Sequence, residues 1–396
     1  MTRRPRVMLS CGEPSGDAYA GALADQLQAL APGVDVFGFG GPRCRAAGVR
    51  LVGDYAGLSV TGLTEAVRVL PATLTMLRKL TAAAEATRPD ALVLVDYPDF
   101  NFRLMARAAA RGIPVVYYVT PQLWAWRAGR MKAMQRHVTL ALPIFPFEQA
   151  LYERAGVPVQ FLGHPLVDTV PEPPADPAEA ARRQQAVRTS LGLDAARRVV
   201  ALLPGSRHNE VSRLVPAIAG ALPAIAAAVP GVQFVVARAP GRNDDEFAAL
   251  VAAAPGTPVV EQRADDVLAA ADVVVTASGT ATAQAALHAR PMVVVYRLSP
   301  LTYVIGKPLV TIDTYAMANL IAGEKIVPEL IQEACTPQAI AAETVDLLTD
   351  RARWSRVHAR LAETRAKLGP PGSTARVATA VLEVADGAGR RSSRAG

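Results

Sequence analysis

A chain of 396 residues exceeds what one hydrophobic core usually serves, so two domains are expected. With 51% hydrophobic and 19% charged residues and a mean hydropathy of +0.20, the composition excludes a disordered chain and fits a globular protein with large cores. The formal net charge of +7 and a pI near 9.5 favour an anionic partner: a phosphorylated substrate, an acidic membrane surface or nucleic acid.

The N-terminus, Met1-Thr2-Arg3-Arg4-Pro5-Arg6, leads straight into the apolar run Val7–Ser10 without a signal-peptide core. Further β-like runs follow at Val34–Phe39, Ala91–Val95, Val115–Val119, Val138–Ile144 and Val159–Leu162, separated by helical patterns. The second half repeats the alternation at Val199–Leu203, Val232–Ala237, Val273–Ala277 and Met292–Tyr296. Such β-α alternation predicts an α/β fold of parallel sheets covered by helices, and the two similar halves suggest a cleft between two domains.

The Pro-rich stretch from Val170 to Pro177 supports neither helix nor ladder and marks the boundary. The first domain is therefore expected over 1–170 and the second over 171–370. Residues 371–396 are expected to hold a helix, Thr374–Val384, that packs back across the hinge, and then a disordered tail from Asp386. No segment reaches the roughly 18 uninterrupted apolar residues of a spanning helix. Cys11, Cys44 and Cys335 are widely spaced and form no CxxC pair, which points to a reducing cytoplasm and away from a metal framework. Cys11, at a strand end, reads as a small buried side chain in preference to a nucleophile.

Short polar motifs close several of these runs. In the first half, Gly12-Glu13-Pro14-Ser15-Gly16-Asp17 and Val95-Asp96-Tyr97-Pro98-Asp99 stand where ligands of α/β proteins bind, beyond the carboxyl ends of strands. Asp96 is placed to take a proton from an acceptor hydroxyl, and Asp99 or Asn101 reads as the cap of the next helix. Pro14 keeps Glu13 extended, so its carboxylate can face the site, while Ser15 reads as a cap. His164, in Gly163-His164-Pro165, is the alternative base, or else a loop histidine hydrogen-bonded locally.

In the second half, Gly205 of Leu203-Pro204-Gly205-Ser206-Arg207 permits close backbone approach, and Ser206 can cap the following helix. Arg207 offers a fork of donors that matches a phosphate, with a surface arginine as the competing reading. Ser278-Gly279-Thr280-Ala281-Thr282 opens another helix, whose dipole favours a diphosphate, although a simple cap would look the same. Together the two resemble a nucleotide-diphosphate cradle. Neither is a P-loop, because no GxxxxGK[ST] occurs, and no GxGxxG follows a strand.

Leu58–Leu80 is apolar at exposed-type positions, with Arg68, Arg78 and Lys79 interspersed. It reads as a segment lying in a membrane interface, or as core helices broken at Pro71. Trp124-Ala125-Trp126-Arg127, followed by Arg130 and Lys132, is similarly amphipathic.

These motifs, with Pro121–Arg127, Pro146-Phe147-Glu148, Asn319-Leu320-Ile321-Ala322-Gly323 and Pro328-Glu329-Leu330, make the chain resemble the lipid-A-disaccharide synthases from about Val7 to Ala341. The resemblance implies a GT-B fold, two Rossmann-like domains facing across a cleft, with the acceptor on the first and a UDP-sugar on the second. It implies inverting transfer from UDP-2,3-diacylglucosamine to 2,3-diacylglucosamine 1-phosphate, releasing UDP, with no cofactor and no metal. Asp96 then matches the family's base and Glu13 its neighbour, while Ser15, Arg207, Ser278, Gly279, Thr280, Gln284 and Asn319 match substrate or nucleotide contacts. Gln284 stands where the family usually has a glutamate for the ribose hydroxyls, and Ala316-Met317-Ala318 replaces its usual Ser-Leu-Pro. The implied partners are the two lipid substrates and the anionic inner face of the inner membrane, not nucleic acid, with room for a homodimer. The alternatives are an isomerase similar to UDP-N-acetylglucosamine epimerase and a non-catalytic nucleotide-binding membrane protein.

Overall fold

Runs of valine, leucine and isoleucine without polar alternation become strands buried on both faces, as parallel sheets require. The computed structural model describes residues 4–56, 63–123, 128–174, 176–298 and 314–392. It divides into two units, Met1–Asp168 with Leu368–Gly396, and Thr169–Lys367. The first contains β1 (Arg6–Cys11), β2 (Asp35–Gly40), β3 (Arg50–Asp54), β4 (Ala91–Val95), β5 (Val115–Tyr118) and β6 (Leu140–Leu142), in the order β3-β2-β1-β4-β5-β6. The second contains β7 (Val199–Leu203), β8 (Gln233–Arg238), β9 (Val259–Glu261), β10 (Val273–Ala277), β11 (Met292–Tyr296) and β12 (Glu329–Ile331), in the order β12-β11-β10-β7-β8-β9.

Both orders are the doubly wound Rossmann arrangement, read from opposite edges. In each, the winding reverses between the first and fourth strands, β1 beside β4 and β7 beside β10. That reversal opens a crevice at the strand ends, and it fixes where each unit can hold a ligand.

Three strands were not expected from the sequence: β3, β9 and β12. All lie at or beside a sheet edge, are short, and lack the fully buried apolar run that marks a central strand. Conversely, Val159–Leu162 forms no strand, contributing one bridge from Val159 to Ala141. Pro158 before it and the Gln149 side chain, which takes the Phe161 N–H, divert its backbone from a ladder.

The helix Ser373–Ser392 packs on the helix Pro14–Leu30 of the first unit. Asp168 caps it from a distant point in the chain. Its carboxylate accepts from the N–H groups of Gly372, Ser373 and Thr374 at 2.7, 3.1 and 2.8 Å, and from the Thr374 hydroxyl at 2.7 Å. Ser373 Oγ donates to the Gly163 carbonyl, and Arg376 Nε to that of Leu162. The expected disordered tail from Asp386 is helical to Ser392, since a helix already nucleated gains a hydrogen bond with each residue added.

Among the described residues one helix, His208–Ala228, is long and apolar enough to cross a membrane, but half of that stretch is buried inside the protein. Its Val211, Leu214, Ile218, Leu222 and Ile225 belong to the core of the second unit.

Candidate active site

In the first unit, Cys11 of β1 is in register with Val95 of β4, so the two motifs that follow these strands leave the sheet side by side. The Tyr97 ring lies against Gly12, where a Cβ would come within 2.2 Å of it. Asp96 and Tyr97 both adopt left-handed backbone, with φ of 48° and 49°. For residues other than glycine this costs on the order of 1–3 kcal/mol each and persists only when the surroundings impose it.

The surroundings are visible. Asn101, fully buried, donates from Nδ2 to the Asp96 carbonyl at 2.7 Å and accepts from Ser10 Oγ at 2.7 Å. Tyr117 Oη donates to the same Asp96 carbonyl at 3.1 Å. The half-buried Asp96 side chain is thus carried on a backbone turn braced from three strands or helices. Burial, and then the Asp96 charge, push up the hydroxyl pKa of Tyr19 and of Tyr117. Glu13 is the N-cap residue of the helix Pro14–Leu30 and keeps the extended backbone expected of it. Burial, followed by Glu13 and Asp99, likewise raises Tyr97, so both carboxylates act on the phenol that packs against Gly12.

Several expectations for this unit need correction. Ser15 is exposed in the first helical turn and does not cap, because the cap position falls on Glu13. Neither Asp99 nor Asn101 caps the next helix, which starts at Pro98: Asp99 pairs with Arg130 at 2.5 Å, and Asn101 is the brace just described. Arg130 also lies over the Phe102 ring at 4.9 Å.

Of its two readings, His164 takes that of a loop histidine hydrogen-bonded locally. Burial drives its pKa down to about 3, and its Nδ1 lone pair already accepts the Leu166 N–H at 3.1 Å. Cys11, Asp17 and Cys44 converge, yet Asp17 is consumed by the N–H groups of Gly41, Arg43 and Cys44 and by the Tyr55 hydroxyl. The Cys44 hydrogen bond and burial push the Cys11 thiol far up, which leaves it a poor nucleophile.

In the second unit, Leu203 of β7 is in register with Thr276 of β10, so the two glycine-containing turns are also neighbours. Gly279 holds φ of 127° and caps the helix Thr280–Leu287; a Cβ there would meet no atom within 4 Å. Among the described residues, no acceptor meets the N–H groups of Gly279, Thr280 and Ala281. An open turn with three such donors at a helix start is suited to an anion. Ser278 Oγ instead donates to the Tyr315 carbonyl, and Thr282 Oγ1 accepts the Met317 N–H, so these hydroxyls shape the turn.

Asn319 is also corrected. It is buried, with Nδ2 bonded to the Val327 carbonyl and to Glu329, and Oδ1 taken by the N–H groups of Ile326 and Val327. Its amide folds the 315–329 loop and has no capacity left for a nucleotide. Glu329, which also accepts from the N–H groups of Tyr315 and Ala316, is the residue that sequence reasoning missed. The Pro328-Glu329-Leu330 motif was its only signal.

Gln284 donates to Asp265 Oδ1 at 2.8 Å, and His288 shares the same oxygen at 2.9 Å. Burial opposes ionisation of Asp265, but the bonds from His288 and Gln284 outweigh it and hold its pKa below the usual value. A carboxylate therefore stands one hydrogen bond from the position that lacks its own. Ser206 does not cap the helix of the β7 turn. His208–Ala228 has Arg207 at its cap position, and Glu210 folds back onto the turn. The Arg207 side chain is 54% exposed.

The segments 58–62 and 124–127 lie outside the described residues. Within the remainder of the first, Leu70 and Leu74 are exposed, as are Arg78 and Lys79, whereas Leu77 and Leu80 are fully buried in the core. The amphipathic reading thus narrows to one face of the helix Leu63–Thr87.

A family model described as lipid-A-disaccharide synthetase matches residues 7–384. The lipid-A-disaccharide synthase of Anaeromyxobacter sp. (strain K) is 44% identical over 381 residues, covering 96% of this chain and 97% of the relative. That of Geobacter sulfurreducens is 42% identical over 382 residues, with the same coverage. Among solved structures, UDP-GlcNAc 2-epimerase from Neisseria meningitidis superposes with a TM-score of 0.66 at 12% identity, covering 96% of this chain and all of that one. The calicheamicin glycosyltransferase CalG4 gives 0.60 at 16% identity, covering 97% and 98%. At such identities these structures speak for the fold alone, two Rossmann-like α/β domains of the GT-B type.

Proposed function

The chain belongs to the lipid-A-disaccharide synthase family and is a glycosyltransferase of that class, and we propose that it joins UDP-2,3-diacylglucosamine to 2,3-diacylglucosamine 1-phosphate with inversion. Asp96 accepts the proton of the acceptor 6-hydroxyl as that oxygen attacks the anomeric carbon. The bond from that carbon to the diphosphate breaks on the opposite side, and UDP leaves. The products are a β-1,6-linked disaccharide 1-phosphate and UDP.

The observation that carries this reading is the left-handed Asp96-Tyr97 turn, braced by Asn101, Ser10 and Tyr117 at the winding reversal of the first sheet. Such strain is retained where a side chain must be held in one place. On the second unit, the N–H groups of Gly279, Thr280 and Ala281 and the Arg207 guanidinium meet the charge of the departing diphosphate without requiring a metal or other cofactor. The carboxylate of Asp265, through Gln284, supports the ribose side of the donor.

Both substrates carry acyl chains, and the exposed Leu70 and Leu74 beside Arg78 and Lys79 support docking on the anionic inner face of the inner membrane. Incubation of the purified protein with the UDP-linked and 1-phosphate monosaccharide lipids tests the whole reading: disaccharide and UDP must appear in equal amounts. Turnover of a water-soluble UDP-N-acetylglucosamine alone would favour an isomerase instead. UDP binding without turnover of either lipid would favour a non-catalytic protein.

A further inference from the structure

The turn after β7 has an unusual occupant. Glu210 Oε2 accepts from the N–H groups of both Ser206 and Arg207, at 3.2 and 3.3 Å, and Oε1 lies 3.6 Å from the Arg207 guanidinium. An ordinary capping box takes only the N–H of the cap residue, here Arg207. Glu210 reaches one residue further, into the middle of the turn. Gly205 makes room for it: with φ of 123°, a Cβ at this position would come within 2.8 Å of the carboxylate.

The three donor groups that a phosphate would use on this side are thus held by the protein's own anion, and the Glu210 side chain is only 21% exposed. The neighbouring turn, at Gly279, has no such occupant among the described residues. The two halves of the cradle are therefore unequal: one is open and the other is occupied by an anion.

Resting on the reading that a UDP-sugar is the donor, we propose that Glu210 competes with the diphosphate for the Ser206 and Arg207 N–H groups and so drives UDP release. The physical need is clear. Cleavage of the sugar–phosphate bond leaves a terminal phosphate with a second ionisable oxygen, so UDP is more anionic than the donor it came from. A cradle of helix N-termini and arginine then binds product more tightly than substrate, and release becomes slow. A carboxylate tethered within reach of the same N–H groups has a high effective concentration and displaces the product's phosphate without leaving those donors unpaired. Glu210 thereby weakens ground-state binding of both nucleotides and is a positioning residue that sets turnover.

Binding of UDP and of inorganic pyrophosphate to the full chain is measured by calorimetry for the wild type and for Glu210→Gln and Glu210→Asp. Glutamine keeps a polar cap but lacks the charge, and aspartate keeps the charge but is shorter by one methylene. Both variants are expected to bind UDP and pyrophosphate about 3–10-fold more tightly, equivalent to about 0.7–1.4 kcal/mol. In steady state, KM for the UDP-sugar and kcat should fall together, which mere loss of a cap does not produce. Unchanged or weaker binding in the variants, with wild type binding UDP normally, overturns the competitor role and leaves Glu210 as a cap. Absence of UDP binding in wild type and variants alike overturns the donor reading as well.

Discussion

Asn101→Ala should separate stability from catalysis in the first unit. The substitution removes two hydrogen bonds of 2.7 Å, to the Asp96 carbonyl and from Ser10 Oγ, in a fully buried position. At about 1 kcal/mol net for each bond, and about 1–3 kcal/mol for leaving the buried Ser10 hydroxyl unpaired, the cost is about 3–5 kcal/mol. For a domain of roughly 200 residues this lowers Tm by about 6–20 °C. Scanning calorimetry reads that loss.

The mechanistic prediction is made well below the new Tm, where the variant is folded. The left-handed Asp96-Tyr97 pair then relaxes, the carboxylate leaves its position, and disaccharide formation falls by at least about 10²-fold, the cost of misplacing a reacting group by about 1 Å. UDP affinity should be unchanged, because the proposed nucleotide contacts belong to the other unit. Adding Ser10→Ala removes the orphaned hydroxyl and should recover part of the Tm but none of the rate. A variant that loses Tm yet keeps near-normal activity would refute the link between the braced turn and the position of Asp96.

Asp96→Asn should abolish transfer by about 10²–10⁴-fold while UDP affinity by calorimetry is retained; activity above about a tenth of wild type would remove Asp96 as the base. Arg207→Ala should weaken UDP by about 1.5–3 kcal/mol, the range for a hydrogen bond to a charged group, and an unchanged dissociation constant would return Arg207 to a surface role. Leu70→Ser with Leu74→Ser, and Arg78→Glu with Lys79→Glu, should release the protein from anionic vesicles with Tm unchanged, since all four side chains are exposed; Leu77→Ser should instead destabilise the fold, because that side chain is core. His164 is held neutral when folded, at about 3 against 6.5 when unfolded, so it contributes stability above pH 6.5 that is lost as pH falls toward 3. The full shift is worth about 5 kcal/mol, and His164→Gln should flatten the Tm–pH curve between those limits.

The alternation of apolar runs with helical stretches was enough to reveal two α/β units with parallel sheets, because strands buried on both faces need continuous valine and leucine, a pattern readable one residue at a time. The central strands and the motifs at their ends were legible for the same reason, and Asp96, Glu13, Arg207 and Gly279 all stand at such ends. The edge strands β3, β9 and β12 were not, since an edge is defined by the neighbour it has and not by its own composition. Side-chain partnerships were largely illegible. Asn101 looked like a cap and is a brace; Asn319 looked like a nucleotide contact and is spent on the Glu329 loop. His164 was legible either as a base or as a locally bonded loop histidine, and the Leu166 N–H on its Nδ1 decides for the second; Leu77, within the stretch read as interfacial, is core. A polar side chain at a strand end can serve a ligand or the protein's own backbone with the same atoms. Which it serves depends on which donors and acceptors the fold brings within about 3 Å, and only tertiary structure decides that.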